Sequence, residues 1–268
     1  MLEKGKTTMN YNMFPVITIC WFVLALSDGF SITERGKKYS NDPSKQYRVY
    51  FEDEDGLISP WHDVPLQSDN QTYNMVVEIP RWSQAKFEIS RELSLNPIIQ
   101  DQEDDTNRST ILIIIVVINE IVTTTRYLPN VFPWHGHVCN YGALPQTWEN
   151  PFHDDPWTGI PGDRDPLDAC EVGTTPVPTG TVVQVRVLGI LGLLDSSETD
   201  WKVIVINAEE AKAHNINNLE DLNTLYPGIV DEVRTFFRVY KVPSGKPENN
   251  FAYNGEYQDS EFAKDIIR

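Results

Sequence analysis

The chain has 268 residues, 40% of them hydrophobic, enough to bury the core of one large domain or two small ones, so disorder is not the default. A net charge of -17 and a pI near 4.6 exclude nucleic acid as a main partner, because phosphate backbones are held by clustered Lys and Arg that this chain lacks. An acidic chain that binds an anionic ligand needs metal ions to reverse the local field, so polyvalent cations are the expected company.

In chain order, Lys4 and Lys6 precede a mostly apolar run from Phe14 to Leu26, with Ala25-Leu26-Ser27 resembling a small-x-small cleavage site. The run is short for a stable membrane span and reads as a secretory signal or as an irregular start, so residues 1-45 are set apart as an N-terminal extension of a domain over 46-268. Asn70-Gln71-Thr72 and Asn107-Arg108-Ser109 would accept glycans only in an exported chain.

From Tyr47 to about Leu194, short β-branched and aromatic stretches alternate with Pro, Gly, Asn and Asp turns, the pattern of an antiparallel barrel or sandwich. The predicted strands are Tyr47 to Glu52, Asn74 to Ile79, Lys86 to Ile89 and Val182 to Leu194, with Trp201 to Asn207 following. Ile111 to Ile118 is an unbroken aliphatic run, an aggregation hazard unless covered, and is expected to belong to an insertion without catalytic role over about 107-125. Ile229, Val230, Val233, Phe236, Phe237 and Tyr240 predict a helix with one apolar face, begun by Pro227-Gly228 and followed by Pro243. A last helix begins near Ser260. Cys20, Cys139 and Cys170 show neither a disulfide framework nor zinc-ligand spacing and are expected as buried free thiols.

The sharpest chemical signal is Gly162-Asp163-Arg164-Asp165-Pro166-Leu167-Asp168. In an extended chain Asp163 and Asp165 share one face, and Pro166 bends the backbone so that Asp168 can return towards them. Three converging carboxylates, with only Arg164 nearby as a cation, repel one another, and a hard divalent ion such as Mg2+ relieves that repulsion. A solvated acidic turn is the plain alternative for any single DxD triplet. An EF-hand is excluded, because the sixth loop position is Asp168 and the twelfth Thr174.

A second cluster strengthens the metal reading. Asp195 ends one apolar strand, Asp200 opens the next, and period-2 alternation puts Asp200 and Lys202 on one face with Trp201 and Val203 opposite. A third lies upstream, where Lys86 and Glu88 share a face and Glu78 precedes Pro80. Arg126, Tyr141, Tyr240 and Lys241 add donors that suit phosphate, although each singly reads as a surface residue or a satisfied aromatic.

Together these stretches resemble family I soluble inorganic pyrophosphatase of the eukaryotic type. The likeness runs from about Tyr47 to Arg268 and is carried by Met75 to Trp82, Asn96 to Asp101, Asn140 to Trp148, Gly162 to Asp168, Glu198 to Lys202 and Tyr240 to Val242. It implies a mainly β fold with flanking α-helices, an OB-like five-stranded closed barrel in a single domain. It further implies a homodimer, pyrophosphate as substrate, and three or four Mg2+ ions per site. On this resemblance Asp163, Asp168 and Asp200 hold the tightest metal, and Asp195 and Glu88 face further metals. Asp165 matches the general base. Lys86, Arg126, Tyr141, Lys202, Tyr240 and Lys241 match groups that hold the phosphoryl units, and Glu78 a supporting carboxylate.

Two residues and one segment depart from the family pattern. His137 stands at the family's tyrosine position, where a hydroxyl has been considered a proton donor. Arg164 replaces an asparagine and is expected to set a fixed positive charge between two site aspartates. The 24 residues from Gln102 to Thr125 replace a handful. A non-catalytic scaffold that keeps the fold is the second reading. Cytoplasmic action is expected, with secretion as the alternative if residues 1-27 act as a signal.

Overall fold

The β-branched runs become strands in the computed structural model, which describes residues 29-36, 46-69, 71-104 and 123-268. The first half carries β1 (Ser31–Arg35), β2 (Arg48–Asp53), β3 (Gly56–Ile58), β4 (Tyr73–Ile79), β5 (Phe87–Ile89), β6 (Ile98–Gln100), β7 (Gln102–Asp104) and β8 (Thr123–Thr125). The second carries β9 (Asn140–Ala143), β10 (Asp168–Glu171), β11 (Val182–Asp195), β12 (Glu198–Asn207), β13 (Asn250–Phe251) and β14 (Gln258–Asp259). Helices α1 (Ala208–His214), α2 (Leu219–Leu225) and α3 (Ile229–Val239) follow β12, and α4 (Ser260–Ile267) follows β14.

Five strands pair in a ring: β4 with β9, β9 with β10, β10 with β12, β12 with β11, and β11 back to β4. Closure removes the free edges an open sheet would expose. The expected closed barrel is therefore present. All its pairings are antiparallel except β10 with β12, which sets Asp168 opposite Lys202. A β-bulge between Val187 and Gly189 bends the 14-residue β11, which pairs with β4 through its first residues and with β12 from Val185 to Asp195.

Both faces of these strands are buried, which explains why β4, β11 and β12 read as near-continuous apolar runs. Met75, Val77, Val203 and Val205 enter one core, to which α4 adds Ala263 and Ile267. Ile204 and Ile206, one position out of phase, pack in a second core with the Ile229, Val233, Phe236 and Phe237 stripe of α3. A third core joins Val76 to Val49, Phe51, Phe87 and Ile98 of a side sheet ordered β1-β2-β6-β5. Burying a Val, Leu, Ile or Phe side chain is worth roughly 1.5–3 kcal/mol, so the helix stripe holds α3 firmly against the barrel. Gly228, in the left-handed region at φ 87, starts α3 as the Pro227-Gly228 pair predicts.

One sequence expectation, that of free thiols, is corrected, and pairings appear near both expected segment bounds. Strand β1 lies ahead of the expected boundary at 46 and pairs with β2, so folded structure begins earlier. Cys139 and Cys170 are joined in a disulfide rather than held as free thiols, because neighbouring strands β9 and β10 bring positions 31 apart in sequence together. Thr123–Thr125, assigned to the insertion, pairs with Gln102–Asp104 as a two-stranded ribbon. The aliphatic run 111-118, the apolar run 14-26, Cys20, Asn70 and Asn107-Arg108-Ser109 lie outside the described residues. Among the described residues, no helix is long and apolar enough to cross a membrane.

Candidate active site

The ends of the barrel strands, the start of β5 and the C-terminus of α3 converge on a cavity of about 420 Å³. Twelve of the fourteen side chains singled out from the sequence line it; Lys202 and His137 do not. The acidic side is built from the 162-168 loop and the β11–β12 hairpin. Asp163 and Asp165 both face the cavity, yet not through an extended chain. Arg164 adopts a left-handed conformation at φ 81, the Asp163 carboxylate accepts the Asp165 amide at 2.9 Å, and the Glu149 carbonyl accepts the Arg164 amide at 3.0 Å. This turn swings the exposed Arg164 guanidinium over the Phe152 ring, 5.9 Å from its centroid. Arg164 still lines the cavity beside Asp163 and Asp165, with its guanidinium over Phe152.

A second cation, Lys202, sits between a different pair, Asp168 and Asp200. Its side chain is 2% exposed, and its ammonium donates to Asp168 and to Asp200 and, at 3.0 Å, to the Tyr141 hydroxyl. The parallel register of β10 and β12 puts Asp168 beside Lys202, while strand alternation puts Asp200 on the same face. Burial opposes the charge on Lys202, but Asp168 and Asp200 hold its pKa well above the ordinary value. One lysine cannot neutralise the whole set. Burial first, then Asp200, raises Asp163 to about 6, and burial with Asp168 raises Asp200 to about 7 against the pull of Lys202. Asp165 rises to about 7 through burial and Asp163, opposed by Arg91, whose guanidinium lies 3.2 Å from its carboxylate.

The opposite side carries cations already paired. Lys86 donates to Glu88 at 2.6 Å and to Asp101 at 3.0 Å, and Arg126 donates to the same Asp101 oxygen at 2.9 Å. Burial works against the Asp101 charge, but Lys86 and Arg126 hold its pKa below the usual carboxylate value. Glu78, buried in β4, accepts the Ile89 amide at 2.7 Å and so fixes β5 to the barrel. Gly142 lets β9 approach closely enough to present Tyr141, since a Cβ there would run into the Val76 carbonyl. At the end of α3, Tyr240 and Lys241 reach the wall, and Lys241 pairs with Asp195.

His137 is elsewhere. It is 3% exposed, packs among Tyr141, Phe236 and Phe237, and its Nδ1 lies 3.2 Å from the Cys139 carbonyl. Burial lowers its pKa to about 3, with Lys202 adding to the effect and the Cys139 carbonyl opposing it. The ring is a packed, neutral support beneath Tyr141.

Three residues escaped the sequence reading. Asp101 and Arg91 lie in stretches without pattern, although Asp101 closes Asn96 to Asp101. Glu149 is the third: one carboxylate oxygen each of Glu149, Asp163 and Asp200 lie within 4.8 Å of one another. Burial, then Asp200 and Asp163, push its pKa well above the ordinary value. Its Oε2 is buried and has no hydrogen-bond partner among the described residues. Crowded oxygen donors with an orphaned oxygen among them fit a hard divalent cation.

A family model described as inorganic pyrophosphatase matches residues 75-268. The inorganic pyrophosphatase of Homo sapiens is 45% identical over 241 residues, spanning 90% of this chain and 76% of that protein. That of Eremothecium gossypii is 47% identical over 224 residues, spanning 83% of this chain and 72% of that protein. The chain belongs to the inorganic pyrophosphatase family. Solved pyrophosphatases share its fold. The enzyme from Schistosoma japonicum superposes with a TM-score of 0.77 at 45% identity over 88% of this chain and 77% of that one. A truncated vacuolar soluble pyrophosphatase of Trypanosoma cruzi, solved with PPi, gives 0.74 at 33% identity over 97% and 95%. This chain is accordingly an inorganic diphosphatase that hydrolyses pyrophosphate, and the scaffold reading is not favoured.

Proposed function

We propose that the cavity cleaves inorganic pyrophosphate with Mg2+ held by Asp163, Asp168 and Asp200, and with further ions, three or four in all, facing Asp195 and Glu88. What carries this reading is the crowding of buried carboxylates whose pKa values are raised, around a donor set of oxygens only, which suits Mg2+. When bound, such ions lower the pKa of a coordinated water towards neutrality and offset charge on the departing phosphate.

The chain's own residues do the rest. Asp165, poised at about 7, accepts a proton from the attacking water as general base. Lys86 and Arg126, bridged by Asp101, bind one phosphoryl unit; Arg126 offers a planar fork that matches phosphate oxygens. Tyr141, Lys202, Tyr240 and Lys241 hold the other. The water oxygen bonds to phosphorus as the bridging P–O bond breaks, and for fully ionised pyrophosphate each orthophosphate leaves with one of the water's two protons. The protein thus supplies mainly position and electrostatics.

Phosphate release from pyrophosphate is measured with and without Mg2+, with Asp165→Asn as control. Release that needs both Mg2+ and Asp165 supports the reading, and equal low rates in all three contradict it. A homodimer is proposed as well; light scattering should return near twice 30.6 kDa, and a monomer mass would refute it. The cytosol, where biosynthesis releases pyrophosphate, is the proposed place of action. One observation favours export instead, the Cys139–Cys170 disulfide, since such bonds persist in oxidising compartments. N-terminal sequencing of the natural protein separates the two, a start at or near Asp28 supporting export.

A further inference from the structure

Glu149 sits off the main cavity wall and lines a neighbouring cavity of about 310 Å³, with Trp201, Thr199 and Gly162. Its backbone is built into the metal-loop turn: its amide donates to the Asp165 carbonyl at 2.9 Å, and its carbonyl accepts from Arg164 at 3.0 Å. Its side chain divides in function. Oε1 accepts the Trp201 amide at 2.7 Å, which fixes the carboxylate beside Asp200 on β12. Oε2 is left buried and unpartnered among the described residues, in a side chain whose residue is 6% exposed. A lone buried carboxylate oxygen forfeits solvation that nothing in the protein returns, about 1–3 kcal/mol for an ordinary group and more for a charged one.

The position of the neighbours gives that oxygen a use. Asp163 and Asp200 bring ligand atoms to within 4.8 Å of Glu149's, a separation a single ion can span. Lys202 engages Asp168 and Asp200 alike, and Tyr141 donates to Asp168 as well. We propose that Glu149 belongs to the donor set of the tightest metal site, offering its spare oxygen alongside Asp163 and Asp200. This rests on the Mg2+ reading above and adds a residue to it. The structural share of Glu149, its bond to Trp201 and its backbone pairing, is separable from the metal share. Glu149→Gln keeps the carbonyl oxygen that accepts from Trp201 and nearly the same volume, and replaces the second oxygen with an amide NH2, a donor that cannot ligate a cation.

The test is calorimetric titration of the substrate-free chain with Mg2+, in wild type, Glu149→Gln and Glu149→Asp, with melting of the metal-free proteins alongside. The Kd of the tightest site should weaken by about 10–100-fold in Glu149→Gln, with metal-free melting unchanged or higher, and less in Glu149→Asp. Wild-type affinity in Glu149→Gln overturns the proposal while leaving Mg2+ binding by wild type, and with it the functional reading, intact. Wild type that binds no Mg2+ sinks both. Should the amide variant not fold, Mn2+ diffusion into crystals of the wild-type chain decides. Anomalous density with a Glu149 oxygen among its ligands upholds the assignment, and density ligated without Glu149 refutes it.

Discussion

The two sides of the cavity solve opposite electrostatic problems. On the cationic side, Lys86 and Arg126 share Asp101, and charge is balanced within the protein. On the acidic side, Asp163, Asp165, Asp200 and Glu149 outnumber the cations beside them, and their carboxyls are driven towards neutrality. One side is balanced as folded; the other gathers buried carboxylates that could hold a metal ion. Crowding those carboxylates costs stability, a familiar feature of a preorganised site.

The sharpest way to break the acidic side is Asp165→Asn, which should lower kcat by about 10²–10⁴-fold in a phosphate-release assay while binding of the first metal persists. On the cationic side, Asp101→Asn leaves both Lys86 and Arg126, the proposed phosphate binders, in place but without their shared carboxylate. KM should rise about tenfold, or ~1.4 kcal/mol, with a smaller change in kcat. The pH dependence of stability separates the sides further. Asp163, Asp165 and Asp200 titrate higher in the fold than their ordinary value of 3.8, so the folded state is fully favoured below that pH and loses this contribution as pH rises through about 6 to 7. Mg2+ should therefore raise the melting temperature more near about pH 8 than near about pH 5. The smallest effect is expected at His137, already neutral throughout this range: His137→Phe should change kcat by less than about twofold and leave the pH profile between about 5 and 8 unmoved.

Much of the site was legible because strand alternation is a local rule. Asp200 with Lys202, and Lys86 with Glu88, share faces as their spacing requires, and the apolar stripe of α3 carries Tyr240 and Lys241 to the cavity. What was not legible depends on register between distant strands. That Lys202 would bridge Asp168 follows from the parallel pairing of β10 with β12, and the cysteine pair from the pairing of β9 with β10. Glu149 joins the 162-168 loop through backbone bonds to Asp165 and Arg164, which no periodicity announces. The extended reading of the 163-165 segment failed because Arg164 turns left-handed under those same bonds. His137 stands at the family's tyrosine position by resemblance, and its burial among aromatic rings sets its character.

The most direct test of the unequal walls is the melting of Asp163→Asn near about pH 8, with and without Mg2+. The amide keeps the acceptor for the Asp165 amide and removes one crowded charge. The metal-free variant should melt higher than metal-free wild type and gain little from Mg2+, whereas wild type gains several degrees. A metal-free variant that melts lower, together with a wild type indifferent to Mg2+, would contradict the account.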